Sequence, residues 1–223
     1  LEDERGYLWL ATYGGGLNRF DPKSETFIHI KHDKNLPKSL SNDITMFMLL
    51  DKHKNLWVGT QGTGIDILTY ENMQNESFSF KHLGSKDGMK SLTVYGIVED
   101  INEDIWLSTS EGISRYSPDN LGFKHFDLTH GLIDLEYNHS AIFSGADNTL
   151  YFGAGKGLTS LNPERISSDF EAPEVHLTNI YKLNEPMSFE QSLTDLKSLL
   201  LDYTDQLITF EYVGLNYSDP EST

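Results

Sequence analysis

At 223 residues without a single cysteine, the chain can bury one large core or two smaller ones, and it excludes disulfides, thiolate catalysis and cysteine-based zinc or iron–sulfur sites. Thirty-four acidic against 17 basic residues give a formal charge of −17, which argues against nucleic acid or an anionic bilayer as partner and favours a neutral, cationic or protein one. No run approaches the ~20 apolar residues that cross a bilayer, no secretion signal is visible, and a cysteine-free chain fits export without excluding the cytosol.

The first element in the chain is also the most informative. Residues 8–20 read LWLATYGGGLNRF: an apolar strand around Trp9, a small turn, then Gly16-Leu17 and a second apolar run. The phrase returns as LWVGTQGTGIDIL at 56–68, IWLSTSEGISRY at 105–116 and LYFGAGKGLTSL at 150–161. From Trp9 to Trp57, Trp106 and Tyr151 the steps are 48, 49 and 45 residues, a period that suits a four-stranded blade of a β-propeller. Leu1-Glu2-Asp3 stands where Leu50-Asp51 and Val98-Glu99-Asp100 stand later, so the sequence is expected to begin inside a blade and to be a piece of a longer protein.

Ahead of each aromatic lies a hairpin pattern: 44–50, a turn at 51–55 and 56–60 in the second unit; 94–98, a turn through 100–104 and 105–107 in the third; 140–143, a turn at 145–148 and 150–152 in the fourth. Outer strands are predicted at 27–30, 78–81 and 123–126, where polar and apolar residues partly alternate. Helical periodicity is nearly absent; residues 192–201 suit a brief helix or a loop leading into a strand. Because one blade cannot bury both its faces, neighbours must stack around an axis, and about four units make an arc to be completed by further sequence or by a second copy. After Pro163 the rhythm changes: strands are predicted at 173–180, 199–201 and 207–213, too few for a complete β-sandwich. The predicted fold is all-β, a partial β-propeller of about four four-stranded blades over 1–166 followed by an incomplete sandwich over 167–223.

Several segments imitate sites. Residues 59–64 and 153–157 are glycine-rich like phosphate loops, but neither has the nucleotide fingerprint or a following helix, and tight turns explain them. Gly16, Gly64, Gly112 and Gly157 recur in register, as do Trp9, Trp57, Trp106 and Tyr151, so both sets read as architecture. Residues 100–104 start like a calcium loop, yet Ile105 stands where that loop needs glycine. Asp33, Asp43, Asp51, Asp87, Asp119 and Asp147 are scattered over other turns, and a polysaccharide-active enzyme would need two carboxylates to converge. The histidines His29, His32, His53, His82, His125, His130, His139 and His176 form no metal-ligand pair and are expected on exposed outer strands or loops. No nucleophile elbow occurs, no motif calls for a cofactor or metal, and Asn75-Glu76-Ser77 and Asn138-His139-Ser140 match the glycosylation pattern weakly. Loops at 34–42, 71–77, 84–91 and 129–139 join the units, and rigid repeat folds recognise ligands on such loops. Asp134, Tyr137 and Asn138 are the preferred recognition residues, against a plain connecting role for each.

The Leu-Trp-Leu/Val phrase with its Gly-Leu/Ile, together with Pro37-Lys38-Ser39-Leu40-Ser41-Asn42-Asp43-Ile44 and Gly14-Gly15-Gly16-Leu17-Asn18-Arg19-Phe20-Asp21-Pro22, closely resembles the two-component-regulator propeller repeat over about residues 1–163. Pro173-Glu174-Val175-His176-Leu177-Thr178 and the stretch from Leu207 to Tyr217 resemble the start of the triple-tyrosine, immunoglobulin-like domain that follows such propellers. The resemblance implies the noncatalytic, periplasmic or extracellular sensor half of a bacterial inner-membrane receptor. It implies an environmental ligand, frequently a carbohydrate, a dimeric receptor, attachment to the membrane through segments outside this sequence, and a cytoplasmic histidine kinase or diguanylate cyclase output. Two other readings stand beside it: a polysaccharide-active propeller enzyme, and a structural module that binds another protein.

Overall fold

Alternation of side chains along short β-branched and aromatic runs dictates strands with two different faces, and the turn-forming residues between them dictate hairpins. The structure, a computed structural model, describes residues 1–119, 121–166, 174–183, 185–189, 193, 198–199, 201–202 and 207–215. The chain divides into two compact units, Leu1–Ile166 and Ser167–Thr223.

The first unit is four antiparallel sheets in succession. Sheet one is β1 (Leu8–Thr12), β2 (Gly16–Asp21) and β3 (Thr26–Ile30). Sheet two is β4 (Thr45–Leu50), β5 (Leu56–Thr60), β6 (Ile65–Leu68) and β7 (Lys81–Leu83). Sheet three is β8 (Val94–Glu99), β9 (Ile105–Thr109), β10 (Gly112–Ser117) and β11 (Gly122–Phe126). Sheet four is β12 (Tyr137–Ser144), β13 (Leu150–Ala154) and β14 (Gly157–Leu161). The propeller-like blades expected from the repeat are therefore present, but two have three strands rather than four among the described residues. Ahead of β1 only a Glu2–Leu8 bridge pairs, and after β14 Asn162 caps a 3-10 turn, Pro163–Arg165, that leaves the sheet.

The leading strands β4, β8 and β12 approach one another, which places them on the inner side of the stack. Between sheets the packing follows one rule. The tryptophan face of each sheet covers the aliphatic face of the next. Trp9, Leu17 and Ile30 pack on Leu56, Val58 and Leu68; Trp57, Ile65 and Leu83 pack on Ile97, Ile105 and Leu107; Trp106, Ile113 and Phe126 pack on Leu150 and Phe152. Each such side chain, fully buried, contributes about 1.5–3 kcal/mol, so these interfaces dominate the stability of the unit. Tyr151, the fourth aromatic of the series, departs from the other three: it is half-buried beside Phe143, because no described sheet covers that face.

The repeating glycines answer a close approach. Gly16, Gly64 and Gly112 have φ of +74°, +90° and +103°, and a Cβ at any of them would run into the carbonyl oxygen of Ile30, Leu83 or Phe126 on the neighbouring outer strand. Gly157 differs, since a Cβ there would meet only Ile133 Cδ1, at 3.1 Å.

Two local expectations are corrected. Residues 71–77, read as loop, contain a short helix α1 (Tyr70–Gln74) whose N-cap Thr69 accepts the Asn72 N–H and whose Met73 is buried in the first interface. The outer strand expected at 78–81 forms at Lys81–Leu83, because Phe78 and Phe80 turn inward onto the Trp9 cluster and the Phe80 N–H bonds the Lys38 carbonyl. In the second unit, β15 (Glu174–Lys182), β16 (Glu185–Pro186) and β17 (Ile208–Leu215) form one sheet in the order β16-β15-β17. Leu199 and Leu201 are not in a strand, and the linker at 167–172 and most of the segment at 192–201 lie outside the described residues.

Candidate functional site: the loop end of the blades

The β1–β2, β5–β6, β9–β10 and β13–β14 hairpins and the connections between units gather at one end of the stack. Main-chain bonds fix them there. The Gly14 and Gly16 amides donate to Asp43 O at 3.1 and 2.8 Å, the Gly62 and Gly64 amides to Leu92 O at 2.9 and 2.8 Å, and the Gly112 amide to Leu135 O at 2.6 Å. Each connection thus receives the glycine amides of the hairpin of the sheet it has just left. Threonines tie the hairpins internally, with Thr12, Thr60 and Thr109 hydroxyls donating to Gly16, Gly64 and Gly112 carbonyls at 2.7, 2.7 and 2.8 Å. The glycine-rich segments at 59–64 and 153–157 are such hairpins. The result is a rigid platform that carries exposed side chains, the arrangement rigid repeat folds use for recognition.

Of the three preferred recognition residues, the fold brings only one to a polar pair on this platform. Asp134 Oδ1 accepts the Leu135 N–H at 2.9 Å and lies 3.4 Å from Lys156 Nζ on the β13–β14 hairpin. Partial desolvation pushes its carboxyl up, but the Leu135 amide and the Lys156 ammonium outweigh that and hold it below the ordinary carboxylate value. Tyr137 is 2% exposed, its hydroxyl 2.8 Å from Thr159 Oγ1 and its ring edge-on to Phe152. Burial pushes its phenol up. It is a core residue of the third interface. Asn138 is exposed. Beside Asp134 stands Lys156, and elsewhere on the loop end Tyr13 is 75% exposed while the Asn42 amide donates to Gln61 O at 2.7 Å; none of the three was predicted from the sequence.

The histidines are corrected more sharply. His29, His82 and His125 sit directly opposite Asn18, Asp66 and Ser114 on the adjoining strand. Their Nδ1 atoms lie 2.5, 2.6 and 2.8 Å from Asn18 Oδ1, Asp66 Oδ1 and Ser114 Oγ. His82 Nε2 meets Pro37 O at 3.0 Å and His125 Nε2 meets Gly88 O at 2.8 Å, so each ring brackets an outer strand to the connection that enters its sheet. His82 and His125 are therefore half-buried structural groups rather than solvated ones. Asp66 is fully buried and also accepts the Ser41 N–H at 2.7 Å. Its hydrogen bond and charge raise the His82 imidazole above the ordinary value, whereas burial lowers that of His125.

At the opposite end of the stack, aspartates hold the turns. Asp100 Oδ1 accepts the Asn102 and Asp104 amides at 2.8 and 3.0 Å while Oδ2 accepts Trp106 Nε1–H at 2.7 Å, which occupies the carboxylate of the calcium-like segment with its own turn. Lys52 and His53 bridge to Glu103 across the second and third sheets at 2.5 and 2.7 Å. Among the described residues no group of three or more His, Asp or Glu is placed to hold a metal ion. A separate open groove of about 640 Å³ lies on the uncovered face of sheet one, lined by Leu10, Thr12, Tyr13, Asn18, Phe27 and His29 among others.

No family model matches the chain. It is 24% identical over 264 aligned positions to a protein named histidine kinase P4 of Formosa agariphila, covering 94% of this chain and 19% of that protein. Its fold is similar to the extracellular domain of the hybrid two component system BT3049 from B. thetaiotaomicron, with a TM-score of 0.67 and 20% identity over 86% of this chain and 26% of that one. It is also similar to the extracellular domain of the BT4673 system of the same organism, with a TM-score of 0.63 and 22% identity over 75% of this chain and 23% of that one. The chain thus spans about a fifth of the curated relative it matches. The proteins it is similar to are of the receptor kind that the repeat resembles.

Proposed function

We propose that this chain is a noncatalytic, extracytoplasmic sensor segment of a bacterial transmembrane signalling receptor with a histidine-kinase output. One observation carries the reading: 94% of the chain aligns with part of a histidine kinase, and its blades take the fold seen in extracellular domains of two-component systems. The loop end of unit Leu1–Ile166 is the sensing surface, with Asp134, Asn138, Lys156 and Tyr13 as its polar and aromatic contacts. The ligand class is a neutral carbohydrate, since a net charge of −17 opposes an anionic one and exposed aromatic and amide groups suit a sugar. The unit Ser167–Thr223 is the start of an immunoglobulin-like domain that relays the ligand's preference for one arrangement of a dimeric receptor. Such a relay works only through unequal affinity for the two arrangements.

Calorimetric titration of the extracytoplasmic region with neutral and uronate-containing oligosaccharides tests this. A neutral oligosaccharide is expected to bind and to be recovered intact. Binding confined to uronates, or recovery of shortened product, overturns the reading, the latter in favour of a polysaccharide-active enzyme.

A further inference from the structure

The inner strands of sheets two, three and four all bulge at one level, just inside the loop end. Between Thr45 and Phe47 on β4, and between Val94 and Gly96 on β8, one residue is extra, Met46 or Tyr95, and both are half-buried. On β12 the pairs Tyr137–Ala154 and Ile142–Phe152 leave residues 138–141 opposite Gly153 alone, three extra residues where the other strands have one. Packing does not call for the additional two. Tyr137 and Ile142 anchor the bulge at its ends in the third interface, and Gly153 makes room beside it, since a Cβ there would come within 2.9 Å of Ala141 Cβ. Between the anchors Asn138, His139 and Ser140 are exposed. Ser140 takes φ of +58°, a left-handed backbone that serine seldom adopts. Its hydroxyl lies 2.9 Å from His139 Nδ1, which orients the imidazole and leaves Nε2, like the Asn138 amide, without a protein partner among the described residues.

We propose that this bulge is a hydroxyl-reading subsite on the inner side of the stack, in which His139 Nε2, oriented by Ser140, and the main chain of 138–141 hold neighbouring hydroxyls of a neutral sugar. The proposal rests on the sensing role given above and adds where the sugar reaches inward and which residues discriminate. Imidazole and amide groups, and peptide groups outside the pairing register, can donate or accept as a hydroxyl requires. The bulge itself contains neither an acidic residue nor a lysine or arginine, which suits a neutral ligand better than an ionic one. Bulges re-aim side chains beside functional sites, and a left-handed serine held between two packed anchors keeps that aim fixed. Met46 and Tyr95, the single extra residues of β4 and β8, supply no comparable polar set, so the three bulges are not equivalent. His139, which the sequence places on an exposed strand without a role, becomes the residue that selects the sugar.

The test is calorimetric titration of the full-length receptor in nanodiscs with neutral gluco-, galacto-, manno- and xylo-oligosaccharides, comparing wild type with His139→Ala and Ser140→Gly. For the sugar that the wild type binds, His139→Ala is expected to weaken affinity by about fivefold, the loss of one hydrogen bond, at an unchanged unfolding midpoint. Ser140→Gly keeps the bulge and relieves its backbone, so it is expected to weaken binding by about threefold without lowering the midpoint, a combination that a merely structural serine would not give. Deleting His139 and Ser140 together leaves the one-residue bulge of β4 and β8 and is expected to weaken binding by more than about tenfold. Wild-type affinity in His139→Ala, or a loss that comes only with a lowered midpoint, overturns the subsite and leaves sensing at the loop end standing. A wild-type receptor that binds none of these sugars overturns both.

Discussion

The indole Nε1–H of Trp57 donates to Asp51 Oδ2 at 2.8 Å, from a strand to the turn six residues before it. The same bond joins Trp9 to Asp3 at 2.8 Å and Trp106 to Asp100 at 2.7 Å. Because each tryptophan is also the main apolar residue of an interface between sheets, the bond fixes the ring's orientation while its burial supplies the energy. Removing the acceptor leaves a buried donor unsatisfied. Asp51→Ala is expected to lower unfolding stability by about 1–3 kcal/mol in urea titration, and by clearly less in a Trp57→Phe background, where the orphaned N–H is gone.

Glycine replacements separate backbone crowding from side-chain crowding. Gly64 has φ of +90° and faces the Leu83 carbonyl, whereas Gly157, with φ of +147°, faces only the end of the Ile133 side chain. Both are conformations an alanine rarely adopts, so Gly64→Ala and Gly157→Ala are each expected to cost about 1–3 kcal/mol, with Gly64→Ala the costlier because its Cβ also meets a backbone oxygen. Equal losses in thermal or urea unfolding would show that the outer-strand carbonyl gives way.

His82 and His125 titrate in opposite directions. His82, raised by Asp66, contributes stability that is complete below the unfolded histidine value of about 6.5 and is lost as pH rises through its folded value. His125, lowered by burial, does the reverse: the folded state resists its protonation, so stability falls as pH drops below the unfolded value. Imidazole NMR titration is expected to place His82 above and His125 below the ordinary value. His82→Asn is expected to remove the loss of stability on the alkaline side.

At the loop end, Tyr137→Phe and Lys156→Ala should part company. Tyr137→Phe removes a half-buried hydrogen bond to Thr159 and is expected to cost about 1 kcal/mol of stability without changing ligand affinity. Lys156→Ala breaks an exposed pair with Asp134, is expected to change stability by less than about 0.5 kcal/mol, and is expected to weaken oligosaccharide binding in calorimetry.

The architecture was legible because tryptophan and glycine recur at nearly constant steps, and spacing alone relates equivalent strands. The aspartate six residues before each tryptophan is equally visible as Asp3, Asp51 and Asp100, yet only its bond to the indole reveals its role, and the fourth unit breaks the series with Gly145 and Tyr151. The histidine brackets were hidden because they are cross-strand pairs at unequal separations, 11 residues for His29 and His125 but 16 for His82, where α1 is inserted. A five-residue helix burying one methionine has no periodicity to read. Tyr137 beside Asp134 and Asn138 looks like a polar recognition cluster until strand direction turns its ring into the core. Lys156 meets Asp134 across 22 residues, a pairing set by two hairpins rather than by any local pattern.

Sensing at the loop end is tested most directly by phosphotransfer in the full-length receptor reconstituted in vesicles and challenged with neutral oligosaccharides. The expected result is a ligand-dependent change in histidine phosphorylation that Lys156→Ala weakens, with the oligosaccharide recovered unchanged. Phosphorylation indifferent to every ligand that binds the loop end, or a ligand recovered cleaved, would contradict the account.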